Sequence, residues 1–336
     1  MSPGDWGVTG GATGIGSLPG SNPREAASIV AGELPELPHL PELPARGPWA
    51  DITGRGCALL VDLPTQLSVG RWELTDRTGR DLRRARSLLA QDLDALEENL
   101  SGFVGPVKVQ VCGPLTLAAT VERRNGNRAL SDPGACRDLS VSLAEGIAGH
   151  LRDVRRRLPA MTSLVVQIDE PALPMVVAGT LTTASGYRTL DPISADETRL
   201  LLRDVLAAVS AEVGHSVLHC CAVPVPLELL TTLEVEALSV PVAGLASDTP
   251  SLDLLGAWLD AGRRLFAGIC SSDPATNVDL VRRTMSRAGL ASDRVTSQLV
   301  MTPECGLANI AESAVVAEYR AIREAMRQLL DDPEGT

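Results

Sequence analysis

The chain has 336 residues, is 44% hydrophobic and carries a formal charge of −12. That length holds one large domain or two small ones around a sizeable core, and with aromatics at only 2% the core must be aliphatic. The acidic balance argues against a broad phosphate-contacting surface for nucleic acid, and no stretch approaches the ~18 to 20 apolar residues of a membrane-spanning helix.

Residues 1–20 have neither a basic start nor a continuous apolar run, so no secretory signal is read and a cytoplasmic protein is expected. Seven cysteines in so long a chain do not form a dense disulfide framework, and in a reducing compartment some can ligate metal instead. TGIGSLP (13–19) supplies a candidate first strand. The segment 20–55 is rich in Pro and Gly, and ELPELPHLPELP (33–44) repeats a Leu-Pro step that no helix interior accepts. It reads as an extended arm on the domain surface, or alternatively as a recognition motif for a partner.

Beyond it the pattern alternates. Short runs with the length and β-branched content of buried parallel strands are ALLVDL (58–63), VKVQVCGP (107–114), SLVVQIDEP (163–171), SVLHCCA (216–222), EALSVPVA (236–243), RLFAGICSS (264–272) and SQLVMTPECG (297–306). Between them lie amphipathic helical stretches at 80–100, 135–158, 195–213 and 278–289, with a last one at 311–330. Eight strands alternating with helices predict a single (β/α)8 barrel over residues 1–336, with the Pro-rich segment outside it and a disordered tail at 331–336. A doubly wound open sheet is the alternative. GGATGIGSLPG is Gly-rich but lacks the acidic ribose partner of a dinucleotide fingerprint.

A barrel gathers the carboxyl ends of its strands on one face. Chemically capable residues fall at those ends: Ser17, Asp62, Asp169, Glu170, His219, Cys221, Cys270 and Cys305. In SVLHCCA, alternation points His219 and Cys221 to one side and Cys220 to the other. An imidazole and a thiolate there, joined by Cys305, form a set suited to zinc with one position left open. Buried, inert residues are the plain alternative. In QIDEPAL, Asp169 and Glu170 point opposite ways, so one carboxylate can enter the barrel mouth while the other braces a loop. The first reads as an anchor for an ammonium group or a general acid/base, or as no more than a helix cap or loop ion pair.

These motifs in this order resemble the carboxyl-terminal catalytic barrel of cobalamin-independent methionine synthase, within the superfamily that includes uroporphyrinogen decarboxylase and the zinc-dependent coenzyme M methyltransferases. The likeness runs from IGSLP (15–19) through VCGPLTLAAT (111–120), QIDEPAL (167–173) and LHCCA (218–222) to TPECGL (302–307). It implies zinc held by His219, Cys221 and Cys305, Asp169 on the amino group of an amino-acid thiol, and Gly16 and Ser17 on its carboxylate, with Glu170 beside the substrate. The implied activity is methyl transfer to a zinc-activated thiol, homocysteine giving methionine, with a methylated corrinoid protein or a folate as donor. Two departures stand out. Pro241 occupies the place of the family's fourth ligand, a Glu, which leaves a three-ligand site more like the coenzyme M branch, with Cys270 as a substitute fourth ligand. The family's His-Gly-Glu stretch, whose Glu holds the substrate amino group, is matched to ALLVDLPTQL, where Asp62 stands instead. The alternatives are another thiol methyltransferase, a non-catalytic barrel that binds metal or metabolite, and a metal-free decarboxylase, for which no Arg cluster is seen.

Overall fold

The computed structural model describes residues 6–8, 10–212, 214–245, 249–270, 272–291 and 296–333. Seven strands form one curled sheet in the order β1 (Gly11–Ala12), β9 (Leu299–Pro303), β8 (Arg264–Ile269), β7 (Ala237–Pro241), β6 (Gly214–His219), β5 (Ser163–Asp169), β4 (Pro106–Cys112). Every pairing in it is parallel. The strands are buried on both faces because helices cover the outside and side chains fill the inside. The long helices lie close to where periodicity puts them, at Arg80–Asn99, Pro133–Arg157, Ala195–Ala211, Pro274–Arg287 and Glu312–Asp331. Among the described residues no helix is long and apolar enough to cross a membrane.

The inside of the curl is layered, as alternation requires. At its amino end Val165, Val217, Ala237, Phe266 and Val300 pack with Trp6, Val8 and Leu37. Two residues further along these strands come Gln167, His219, Ser239 and Thr302, all buried. Polar residues therefore begin one layer below the carboxyl-end face.

Two expectations fail in the first third of the chain. ALLVDL is not a strand: Ile52–Leu59 is a helix, capped by Asp51, whose side chain accepts from the Gly54 N–H at 2.7 Å. Asp62 follows in a bend with φ 53°, and the next strands, β2 (Thr65–Ser68) and β3 (Arg71–Leu74), make a separate antiparallel hairpin. The seven-stranded sheet thus holds one strand fewer than the eight expected. The segment 20–55 is not a surface arm either. It contains a helix (Pro23–Glu33), and after it Leu34, Leu37, Leu40 and Leu43 are all fully buried.

Residues 37–43 run between the two edges of the sheet. The Leu40 N–H donates to the Lys108 carbonyl (3.0 Å) and the Lys108 N–H to the Pro38 carbonyl (2.9 Å) on the β4 side. On the β1 side the Leu18 N–H donates to the Glu42 carbonyl (2.8 Å) and the Glu42 N–H to the Gly16 carbonyl (3.1 Å). The prolines at 38, 41 and 44 have no N–H to give, so the contact is made of isolated parallel bridges, Ser17 with Glu42 and His39 with Lys108, and not of a ladder. At the other terminus, the expected tail begins inside the last helix. Asp332 caps that helix and pairs with Arg282, and residues 334–336 lie outside the described set.

Candidate metal centre

His219 is the last residue of β6 and Cys221 lies two positions on, so both turn toward the axis of the curl. Cys305 follows β9 in a bend. The ligand atoms of these three residues all lie within 4.8 Å of one another. Among the described residues this is the one group of three or more His, Cys, Asp or Glu side chains so gathered.

The hydrogen bonds fix how His219 presents itself. Its Nδ1 lies 3.1 Å from the Ser239 carbonyl and 3.0 Å from Ser239 Oγ. A carbonyl only accepts, so Nδ1 carries the hydrogen and Nε2 keeps its lone pair. That Nε2 is buried and has no hydrogen-bond partner. A buried acceptor without a partner is costly, and here it faces two sulfurs. Cys221 Sγ and Cys305 Sγ are 3.0 Å apart. The bond from Cys221 and the nearby His219 ring hold the Cys305 thiol down to about 4, while the Cys221 thiol is pushed up by the bond it gives Cys305 and by burial. One proton is therefore shared by the pair. An imidazole lone pair, a thiolate and a thiol that gives up its proton on ligating a cation form a donor set that fits zinc.

A cavity of about 230 Å³ opens over the cluster. Ile15, Gly16 and Ser17 line it, with Glu42, Asp51, Asp169, His219, Cys221, Cys305 and Gly306. Gly16 has φ +153°, and a Cβ there would lie 2.8 Å from the Gln110 side chain, so only glycine allows this turn. Asp169 ends β5, and its Oδ1 accepts from Gln167 Nε2 at 2.6 Å. Burial pushes its carboxyl up to about 7, against the pull of His219 and Lys108. Lys108 below it is brought down to about 8 by burial, against the pull of Asp169 and Glu42.

The other expected residues fall elsewhere. Glu170 is buried but does not line the cavity. Its carboxylate accepts from the Leu115 N–H (2.9 Å), the Thr116 N–H (2.7 Å) and Thr116 Oγ1 (2.7 Å), bracing the start of the helix Pro114–Thr120. Cys270 is exposed and lies outside the cluster. Pro241 ends β7 opposite Gly268, and Asp62 does not reach the cavity. Glu42 and Asp51 do reach it and were not anticipated. Glu42 sits in the Leu-Pro repeat, where nothing in the local pattern marks a carboxylate as functional; Asp51 is marked only by its cap position.

The family model described as "Cobalamin-independent synthase, Catalytic domain" matches residues 11–328. No curated protein matches the chain. Among solved structures, a B12-independent methionine synthase from Shewanella sp. W3-18-1, in complex with selenomethionine, is similar with a TM-score of 0.63 at 10% identity. That match covers 97% of this chain and 99% of the other. A mutant methylaspartate ammonia lyase from Clostridium tetanomorphum gives a TM-score of 0.47 at 9% identity, covering 96% of this chain and 59% of that one.

Proposed function

The chain belongs to the family of cobalamin-independent synthase catalytic domains, and from that premise we propose that it transfers a methyl group to the sulfur of a homocysteine-like amino-acid thiol. The observation that carries this reading is the convergence of His219 Nε2, Cys221 and Cys305 at the floor of a cavity of amino-acid size. When bound by these three groups, a zinc ion supplies the Lewis acidity that keeps a coordinated thiol deprotonated near neutral pH.

The chain's own residues do the rest. Glu42 and Asp169 line the same cavity and accept the substrate ammonium. This assigns to Glu42 the amino-group role first sought at Asp62. An arriving ammonium supplies the countercharge that burial denies Asp169, so binding favours its ionised form. The backbone of residues 15–17 lines the same cavity, next to Glu42, and receives the carboxylate. A substrate held by both groups of its α-carbon extends its sulfur over the cluster. The thiolate lone pair forms the new S–CH3 bond while the carrier–CH3 bond breaks, and the bonding pair leaves with the carrier, which takes up a proton. About 230 Å³ accommodates an amino-acid thiol but not a methyl carrier as well, so the carrier presents its methyl group from the open side.

Metal analysis of the purified protein is expected to find about one zinc per chain, and Cys221→Ser or Cys305→Ser to lose both metal and thiol methylation. A metal-free wild-type protein prepared without chelators would sink the reading. Methyl transfer to homocysteine, assayed with methylcobalamin and with methyltetrahydrofolate, separates the two donor classes. Glutathione, too large for the cavity, is expected to be inert.

A further inference from the structure

Lys108 is a fully buried cation on β4, below the proposed substrate site and not part of its lining. Its Nζ donates to the Ile15 carbonyl at 3.1 Å, to Gln167 Oε1 at 2.9 Å and, more weakly, to Gln110 Oε1 at 3.4 Å. An ammonium group has no acceptor. Each glutamine must therefore turn its oxygen toward Lys108 and its NH2 away, which settles the amide orientation that coordinates alone leave open. The two NH2 groups then meet two of the carboxylates that line the cavity, Asp169 and Glu42. Gln167 Nε2 donates to Asp169 Oδ1 at 2.6 Å, and Gln110 Nε2 to Glu42 Oε1 at 3.1 Å. Both amides are also tied to backbone carbonyls, Gln167 Nε2 to Ile15 and Gln110 Nε2 to Leu40.

We infer that Lys108 is a positioning residue for amino-acid recognition, fixing Asp169 and Glu42 through Gln167 and Gln110 so that both accept the substrate ammonium. The inference rests on the proposed function, because it takes the ligand to be an amino-acid thiol. One oxygen of each carboxylate is held, Asp169 Oδ1 by Gln167 and Glu42 Oε1 by Gln110 together with Arg55 Nε at 3.0 Å, which leaves the other oxygen for the ligand. Asp169 and Glu42 are also the two groups that favour the charged form of Lys108, so the cation is electrostatically linked to both. A purely structural lysine would support the fold without distinguishing one ligand from another. A positioning lysine acts on ligands that carry an ammonium and is indifferent to those that do not.

That difference is measurable by calorimetric titration of the purified protein with L-homocysteine and with 4-mercaptobutyrate, which has the same thiol and carboxylate but no amino group. The wild type is expected to prefer homocysteine. Lys108→Met should shrink the preference by roughly tenfold, through weaker homocysteine binding alone. Gln167→Met gives a second arm: it keeps the length of the side chain but has no hydrogen to give Asp169, and the same loss of preference is expected. If Lys108→Met does not fold, this variant decides. A wild type without preference overturns the functional reading and this inference with it. A wild-type preference retained in either folded variant, or a parallel loss for both ligands, overturns the role of Lys108 alone.

Discussion

Nδ1 of His219 reaches two oxygens of one residue, and both belong to Ser239. The carbonyl fixes the tautomer, while the hydroxyl steadies the ring plane. Partners of this kind set the orientation and basicity of a ligating imidazole. Ser239→Ala keeps the carbonyl and removes the hydroxyl, so zinc affinity is expected to fall by about tenfold with the fold intact, as read by competition with a chromophoric chelator. Unchanged affinity would mean that the carbonyl alone suffices. The pairing of His219 with Cys221 was open to reading because its signal is local: His-X-Cys at the end of an apolar run puts two donors on one side by alternation. Glu42 carried no such signal. Its neighbours are a Leu-Pro repeat, and its role emerges only when the chain between Leu37 and Leu43 is laid against β1 and β4. Lys108, Gln110 and Gln167 did leave a trace, as polar residues at alternate positions of otherwise apolar strands.

Glu170 joins two elements, the end of β5 and the start of the helix Pro114–Thr120. Gly113 makes room for it, since a Cβ there would meet Glu170 Oε1 at 2.3 Å. Glu170→Ala would leave two N-terminal N–H groups without a partner, a cost of about 2 kcal/mol or more in chemical denaturation. Burial raises the Glu170 carboxyl to about 7, against its three donors. The folded state therefore holds this proton more tightly than the unfolded chain, so the stability it contributes is complete below about pH 4.5 and is lost as pH rises through about 7. Glu170→Gln should remove that component, seen as a wild-type minus variant difference in unfolding free energy that changes across this window. A flat difference would show that the carboxylate is ionised throughout. The strands that were legible, such as Pro106–Cys112 and Ser163–Asp169, are continuously buried runs rich in β-branched and apolar residues. ALLVDL has a similar composition, yet its first two residues end a helix and the rest form a bend, because a short apolar run does not by itself tell a strand from a buried helix. Gly54 and Gly56 made the helix harder to see. They are there for close packing: a Cβ at Gly54 would lie 2.2 Å from the Pro48 carbonyl. Asp51 as cap was the readable sign of that helix.

Across the whole molecule, the curl of the sheet depends on a segment that cannot form a ladder. Prolines remove its donors, so residues 37–43 are held by a few backbone bonds, by buried leucines at every third position, and by charge. Glu42 Oε1 pairs with Arg55 Nε at 3.0 Å. Arg55 also pairs with Asp92, at 2.5 Å, and Asp92 in turn with Arg46, at 2.5 Å. This chain of buried ions ties the bridging segment to the helices Ile52–Leu59 and Arg80–Asn99. The same Glu42 lines the proposed substrate site, so the closure of the sheet and the shape of the site share one residue. Removing one partner from a buried pair leaves an uncompensated charge and costs about 3–5 kcal/mol. Arg55→Met, close to Arg in length, is therefore expected to lower unfolding stability by about 3 kcal/mol. It should also free Glu42 from one of its two fixed donors. Amide exchange distinguishes this local effect from general loosening: the Leu40 and Glu42 amides, which bond to β4 and to Gly16, should exchange faster in Arg55→Met than the amides inside β5 and β6. Uniform acceleration across all four would place the loss in global stability and leave the bridging segment held by its leucines.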